Sequence, residues 1–422
     1  MALSACTAAT QQSQRAGRTS GKGNISATPS ATADSGTSAA PQPAGTPGTV
    51  PPATDTYGPN AGVAAPAGAV AVTPANFVAT ARAAAAGAVF VLTPGVYTGV
   101  SLQPKDGQQF FGQVGAILDG QNRTRNAFTG GAKNVRISNL VIRAYTNPAQ
   151  EGAIEGSSSN AWEVDHNEIT ETAGLGLRVG PYMNAHDNWV HHNHQLGVGG
   201  SGPNIVVAHN DISFNNYKGE YDPGWEAGGS KWTETTGLVV KSNNVHNNVG
   251  PGLWTDIGNR NTTYDGNWVH DNDYNGPNSS AGIFHEISGS AVIKNNLVVH
   301  NGSSWNAWAW NAGIQIAGSS DVEIYGNQVL DNSNGISLLQ QNRYGEWAPG
   351  VRNINVHDNI VRTKGITGFV QDTGENVFNG SRNVKFSNNT YVGGTYLFAW
   401  NNQDLGPAQW QATGNDATGS FK

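Results

Sequence analysis

The sequence predicts an all-β fold, a single-stranded right-handed parallel β-helix of about ten coils with a short N-terminal capping helix. The first observation is a recurrent motif, Asn-x-(Val/Ile)-x-x-Asn. It begins at Asn188, Asn210, Asn243, Asn267, Asn296 and Asn327, with less regular copies at Asn167, Asn359 and Asn389. Successive copies start 21 to 33 residues apart. The shortest spacing is typical of one bare coil, and the longer ones of a coil with a loop.

The second and third observations are short strands on either side of the motif. An alternating strand precedes it, as in Val322-Glu323-Ile324, and a strand that opens with glycine follows it, as in Gly282-Ile283-Phe284-His285-Glu286. Successive side chains in a strand point to opposite faces. Three short strands per coil therefore wrap a closed core.

The repeated asparagines are expected to lie in turns, because asparagine tolerates left-handed backbone and bonds to neighbouring main chain. Stacked coil on coil, their amides would form ladders. The recurrent histidines are interpreted as turn and ladder residues as well. They are His166, His186, His191, His192, His194, His209, His246, His270, His300 and His357. Metal binding by the run 191–194 is not expected, because adjacent side chains should point to opposite sides.

The chain is divided into residues 1–70 as a linker, 71–405 as the β-helix and 406–422 as a C-terminal tail. Residues 7–70 are rich in Ala, Ser, Thr, Pro and Gly and poor in large apolar residues, which is typical of a flexible segment. After Thr73-Pro74, a helix that buries Phe77 and Ala81 is predicted to cover the open end of the stack.

Cys6 is the single cysteine, so an intramolecular disulfide is excluded. Its context Leu3-Ser4-Ala5-Cys6 resembles the lipobox of bacterial lipoproteins, which implies lipidation of Cys6 and an extracellular or cell-surface location. We expect any membrane contact to come through that anchor. Net charge is −7 with no basic run, which argues against nucleic acid as a partner. A monomer is expected.

From Ala71 to Trp400 the repeats resemble the pectate-lyase-like superfamily of right-handed β-helix proteins. The segment from Phe77 through Thr93-Pro94-Gly95-Val96-Tyr97 to Asp119-Gly120 is similar to the usual opening of that superfamily. The resemblance implies the fold and is less specific for activity, since one fold hosts many functions.

Two acidic residues are predicted to be neighbours on one outer face. By the alternation rule Asp256 and Glu286 point outward on adjacent coils, whereas His285 points inward unless the register slips by one residue. The long excursion at 220–232 concentrates acidic groups, a lysine and aromatics, and is expected to form a wall of the same groove.

Glycoside hydrolysis of a polysaccharide is the favoured chemistry, because it uses two carboxyl groups, one as acid and one as base or nucleophile. Asp256 and Glu286 are the predicted pair, with Glu226 assisting. A non-catalytic glycan-binding surface protein is a further alternative, although a binder does not need converging carboxylates.

Polysaccharide lysis by β-elimination is the close alternative, with Lys231 or an exposed His285 as the base. The spacing of Glu226 and Lys231 is similar to that in alginate-lyase and chondroitinase-B-like β-helix lyases. That resemblance implies Glu226 as a calcium ligand and Lys231 as the base. Those lyases also use an arginine on the next coil, where this chain has 252–256. Calcium is otherwise expected at Glu220 or Asp222, or at Glu226 or Asp256.

Aromatic side chains and one amide are predicted to bind the sugar rings in the groove. These candidates are Trp225, Trp232, Trp254, Trp305, Trp308, Trp310 and Gln315.

Overall fold

The computed structural model describes residues 56–422 except 275–279, 303–307, 344–347 and 394–396. Within these ranges the chain forms three long sheets, and from Gln109–Gly112 to Leu397–Trp400 their strands follow one another in strict rotation along the sequence. Every neighbouring pair in the first two sheets is parallel, and the third ends in one antiparallel pair, Leu397–Trp400 with Gln403–Leu405. One chain therefore winds repeatedly around a single axis, as predicted.

Sheet 1 comprises Val70–Val72, Val89–Leu92, Gln109–Gly112, Arg136–Ser138, Glu163–Asp165, Asn184–His186, Val206–Ala208, Val239–Lys241, Thr262–Asp265, Ala291–Lys294, Ser320–Tyr325, Arg352–His357 and Val384–Ser387. Sheet 2 comprises Gly95–Thr98, Ala116–Asp119, Val141–Arg143, Glu168–Thr170, Trp189–His191, Asp211–Ser213, Asn244–His246, Trp268–His270, Leu297–Val299, Gln328–Asn332, Ile360–Thr363, Thr390–Tyr391 and Ser420–Phe421. Sheet 3 comprises Phe128–Thr129, Gly152–Glu155, Leu175–Val179, Leu196–Pro203, Gly228–Thr236, Leu253–Asp256, Ile283–Glu286, Ala312–Ala317, Asn334–Gln340, Ile366–Gln371, Leu397–Trp400 and Gln403–Leu405.

The number of coils exceeds the predicted ten, since sheets 1 and 2 each contain 13 strands in the described part of the chain. The first coils, such as those at Val89–Leu92 and Gln109–Gly112, lack the asparagine motif. Large aromatic side chains fill the interior of these coils instead. The rings of Phe90 and Phe110 stack with 5.4 Å between their centroids. Counting the motif alone therefore underestimates the stack.

Two asparagine ladders run along the corners of the rod. The first asparagine of each motif lies between sheets 1 and 2. The Nδ2 of Asn267, for example, donates to the Oδ1 of Asn296 at 2.9 Å and to the carbonyl of Val240 at 2.9 Å. The last asparagine forms a second ladder between sheets 2 and 3, where Asn272 donates to Asn301 at 2.9 Å. These contacts confirm the predicted ladders.

The left-handed turn residue is the one that precedes each ladder asparagine, which differs from the prediction. His209 before Asn210 has φ 53°, and Asp358 before Asn359 has φ 54°. The ladder asparagines themselves are absent from the described residues with positive φ, so the left-handed position falls one residue earlier.

Both ends of the stack are covered by helices. The N-terminal helix α1 (Phe77–Ala83) buries Phe77 and Ala81, as predicted. Residues 406–422, predicted as a tail, form a second cap. Helix α2 (Pro407–Ala412) buries Trp410, which stacks on Phe398 at 4.8 Å between ring centroids. A 3₁₀ turn, Gly380–Arg382, completes the helical elements of the described chain. Neither α-helix is long and apolar enough to cross a membrane.

Residues 1–55, which include Cys6 and most of the predicted linker, lie outside the described residues. The remainder of that linker runs along the rod. The backbone N–H of Gly58 donates to the carbonyl of Asp187 at 2.9 Å, and that of Asn60 donates to the Oδ1 of Asn139 at 2.8 Å.

Replacing one ladder asparagine should destabilise the whole rod. In Asn267→Ala the buried carbonyl of Val240 and the amides of the adjoining coils lose their partners. Because each orphaned buried group costs about 1–3 kcal/mol, we expect the free energy of unfolding to fall by at least about 2 kcal/mol. Urea denaturation followed by circular dichroism measures the change.

Asn355→Ala is the matched control, since its exposed Nδ2 donates only to Glu323 at 3.1 Å among the described contacts. It should change the free energy of unfolding by less than about 0.5 kcal/mol. Equal losses in the two variants would contradict the role given to the ladder.

Candidate active site on the outer face of sheet 3

The outer face of sheet 3 presents the side chains that the alternation rule placed outside. Leu253 and Ile283 lie in the main core. Trp254 and Phe284 belong to a separate apolar cluster, in which their rings stack at 5.5 Å between centroids. The expected facing of the two strands is therefore confirmed.

Asp256 and Glu286 are direct neighbours. Their strands pair in parallel with Asp256 opposite Glu286, and paired parallel strands lie about 4.8 Å apart. Both residues are nearly buried, with 7% and 8% of their surfaces exposed. Two carboxyl groups are thus held side by side in a poorly solvated setting.

Each carboxyl group has its own cationic partner. The Nζ of Lys231 lies 2.9 Å from the Oδ2 of Asp256, and the Nη1 of Arg343 lies 2.7 Å from the Oε1 of Glu286. Lys231 also lies over the ring of Trp254, 3.9 Å from its centroid, which is a cation–π contact. We call Lys231, Asp256, Glu286 and Arg343 the charge row.

Glu286 is the member of the charge row whose pKa is shifted. Burial and then the negative charge of Asp256 raise the pKa of its carboxyl group to about 7, against the opposing effect of Arg343 and Lys231. A carboxyl group with this pKa is partly protonated at neutral pH, so it can donate a proton there.

Polar atoms without partners surround the row. Within the described part of the chain, the Oδ1 of Asp256, the Nε1 of Trp254, the Nε2 of Gln315 and the Oγ of Ser337 are buried and make no hydrogen bond. Gln315 lies next to Phe284 in register and Ser337 next to Gln315. Buried polar groups are normally paired. These four atoms lack the hydrogen-bond partner that buried polar groups normally have.

Two predicted site residues lie inside the rod instead. Trp232 is fully buried in the core because Gly228–Thr236 is a strand of sheet 3, in which Trp232 pairs with the inward Thr255. His285 is also fully buried, with its Nδ1 2.7 Å from the Oγ1 of Thr255 and its Nε2 2.9 Å from the carbonyl of Gly289. Burial lowers its pKa to about 4. Neither residue can reach a ligand on the outer face.

The predicted acidic assistants are directed elsewhere. The Oε2 of Glu226 accepts from the Nε2 of Gln150 at 2.7 Å. Glu220 pairs with the Nδ1 of His194 at 2.9 Å, and Asp222 accepts from the backbone N–H of Gly224 at 2.9 Å. The structure does not gather Glu220, Asp222 and Glu226 around one point within its described residues, so the predicted calcium ligand set is not brought together.

The other aromatic candidates differ in their exposure and in their contacts with the site. Trp225 is 47% exposed, and its carbonyl accepts a hydrogen bond from Lys231, which ties it to the charge row. Trp310 is half-buried against the apolar cluster of Trp254. Trp308 is exposed and donates to Asp404 at 2.8 Å. Trp305 lies outside the described residues.

Arg343 is the functional candidate that sequence reasoning missed. It follows the strand Asn334–Gln340 in a loop, and 57 residues separate it from Glu286. The repeat pattern predicts which strands stack, but it contains no signal for how far a loop side chain reaches back over them.

The comparisons with known proteins agree with the fold. The family profile described as "Right handed beta helix region" matches residues 151–329, a range that includes Lys231, Asp256 and Glu286. Together with the parallel sheets, this match shows that the protein is a right-handed parallel β-helix, which confirms the predicted fold class. No curated protein matches the chain in sequence.

Several solved structures have the same fold. The mannuronan C-5 epimerase AlgE6 A-module of Azotobacter vinelandii is 17% identical with a TM-score of 0.50, over 82% of this chain and 92% of that chain. The catalytic unit of the GH87 α-1,3-glucanase of Streptomyces thermodiastaticus strain HF3-3 is 14% identical with a TM-score of 0.55, over 85% and 68%. XylC in complex with xylose is 11% identical with a TM-score of 0.51, over 75% and 80%. At these identities the likeness shows the fold.

Glu286 should make the protein less stable as the pH rises. Its carboxyl group keeps a proton up to about pH 7 in the folded chain, whereas the ordinary glutamate value is 4.5. The unfolded chain thus binds fewer protons between these values, so the free energy of unfolding falls with rising pH across that window. In Glu286→Gln this slope should largely disappear, as measured by urea denaturation at several pH values.

Glu234→Gln is the control, because Glu234 is exposed and forms no ion pair among the described residues. It should keep the wild-type slope. A slope in Glu286→Gln as steep as that of the wild type would show that Glu286 is not the group responsible.

Proposed function

We propose that this protein is an extracellular carbohydrate-active enzyme that hydrolyses glycosidic bonds of a polysaccharide bound along sheet 3. The observation that carries the proposal is the pairing of two nearly buried carboxyl groups, Asp256 and Glu286, in register on adjacent strands. Hydrolysis of a glycosidic bond uses two such groups with different protonation states.

The environments of the two groups separate their roles. Glu286, with its raised pKa of about 7, is the general acid that protonates the departing oxygen of the glycosidic bond. Asp256 is paired with Lys231 at 2.9 Å. It acts as the base that activates water or as the nucleophile. The unpartnered atoms of Trp254, Gln315 and Ser337 then bind sugar hydroxyl groups.

The fold relatives support a carbohydrate substrate. The Streptomyces thermodiastaticus structure is a glucanase, that of Azotobacter vinelandii acts on mannuronan, and XylC is described with xylose. A β-helix with an acidic pair on one face is thus compatible with carbohydrate chemistry of this kind. Secretion with a lipid anchor at Cys6, and a monomeric state, stay predictions.

Lysis is the second candidate, because Lys231 and Arg343 flank the pair and could neutralise the carboxylate of a uronate residue. Lys231 is less suited to be the base than the earlier spacing argument implied. Its Nζ is already engaged by the carboxylate of Asp256 and by the ring of Trp254.

Glu286→Gln and Asp256→Asn should each reduce hydrolysis by roughly 10²-fold or more, since loss of a general acid or base typically costs that much. A panel of neutral and acidic polysaccharides, assayed for new reducing ends, measures the activity. The control Glu323→Gln on sheet 1 should retain the wild-type rate. Product that absorbs as an unsaturated uronate would favour lysis, and binding without any cleavage would favour a glycan-binding protein.

The pH profile distinguishes the two reactions by sign. In hydrolysis Glu286 must be protonated, so kcat/KM should fall tenfold per pH unit above about pH 7. In lysis the base must be unprotonated, so the rate should instead rise with pH. A rising profile in wild-type protein would therefore contradict the proposed acid.

A further inference from the structure

Three histidine and aspartate side chains stack at one corner of the rod, between sheets 1 and 2. His166, Asp187 and His209 occupy the same left-handed position on successive coils, with φ values of 55°, 57° and 53°. Each precedes an asparagine of the first ladder. The ladder thus holds these three side chains one above another.

The ligand atoms of this corner lie close together. One nitrogen each of His166 and His186 and one carboxylate oxygen of Asp187 lie within 4.8 Å of one another. The Nδ1 of His186 is 2.5 Å from the Oδ2 of Asp187, and the Nδ1 of His209 contacts the other oxygen of the same carboxylate. All four side chains are partly exposed, by 22% to 37%, so an ion can reach them from solvent.

The buried carboxylate of Asp165 orients the imidazole of His166. The Oδ2 of Asp165 lies 2.8 Å from the Nδ1 of His166, and the side chain of Asp165 is fully buried. Arg136 and Ser138 hold that carboxylate in place at 2.9 Å and 2.8 Å. Such a carboxylate–imidazole pair is the usual outer arrangement of a metal-bound histidine, because it leaves the other ring nitrogen to the metal.

The same pairing elsewhere on the rod does not gather a ligand set. His270 pairs with Asp271, and His357 with Asp358, both at 2.7 Å. These coils provide only pairs, whereas the coils around His186 provide three potential ligands close together. Within the described part of the chain, such a set of three occurs only around His186. The interpretation of every histidine as a ladder residue therefore fails to explain this corner.

From this arrangement we propose that His166, His186, Asp187 and His209 form a binding site for a divalent transition metal ion, with Zn²⁺ as the best match. Imidazole nitrogens with one carboxylate suit zinc better than calcium, which prefers oxygen ligands. The neighbouring Arg136 forms ion pairs with Asp165 and Glu163 at 2.9 Å and 3.8 Å. The site lies away from the charge row on sheet 3, so it is independent of the proposed hydrolysis.

The ion would join three coils and the segment that crosses them. Gly58 donates to the carbonyl of Asp187 at 2.9 Å, and the ring of Tyr57 lies 5.0 Å from that of His209. Bound zinc would therefore stabilise the packing of this segment against the rod, and the melting temperature should rise with zinc concentration.

Calorimetric titration of the full, tag-free chain with ZnCl₂, after removal of metals by a chelator, tests the site. We expect one equivalent of Zn²⁺ to bind. His166→Asn, which tolerates the left-handed backbone, and His186→Gln should each weaken binding at least about tenfold. The matched control His357→Gln removes an equivalent turn histidine and should leave the affinity unchanged.

Co²⁺ added to wild-type protein provides a measurement that does not depend on how the variants fold. A tetrahedral site with imidazole ligands should produce visible absorption bands that Zn²⁺ abolishes. Absence of zinc binding in wild-type protein, or binding in folded His186→Gln that equals the wild type, would overturn the proposal. Loss of affinity in His357→Gln equal to that in His186→Gln would do the same, since it would indicate scattered surface histidines.

Discussion

Parallel pairing of coil upon coil, at about 4.8 Å, is the constraint from which the other features of this protein follow. It turns positions that are 20 to 35 residues apart in the chain into spatial neighbours. The pairing is maintained at the corners, where each ladder amide bonds to the coils above and below, as Asn267 does with Asn243 and Asn296. A shift of one residue would exchange His285 and Glu286 between core and surface. The chemistry of sheet 3 therefore depends on turns that lie outside the charge row.

The charge row shows what that rigid spacing makes possible. Following the outward position from Glu286, the next coils have Ala317, Leu339 and Val370 in register. The acidic groups are thus confined to two coils, with apolar surface on one side and Lys231 on the other. Placing two carboxyl groups in this poorly solvated setting is unfavourable for folding. That cost is typical of functional sites, where shifted protonation is useful.

The histidine corner and the charge row use the same structural rule on different sides of the rod. In both, residues at neighbouring positions of successive coils interact because the stacking places their side chains next to one another. Coils of a solenoid contact mainly the coils next to them. Two separate sites can therefore coexist with little effect on each other. One is built on His166, Asp187 and His209, and the other on Lys231, Asp256 and Glu286.

The local pattern of residues was enough to predict the winding of the chain, both asparagine ladders, the first cap and the pairing of Asp256 with Glu286. Each of these depends on a short repeat whose spacing translates directly into stacking. Only the folded chain revealed that Trp232 lies inside, because the loop expected at 220–232 ends in a strand. The same holds for Arg343, for the second cap at 406–422 and for the gathering of His166, His186 and Asp187. These features depend on how loops and chain ends fold back onto the rod, and on which side chains three separate coils bring together, for which a one-dimensional repeat has no signal.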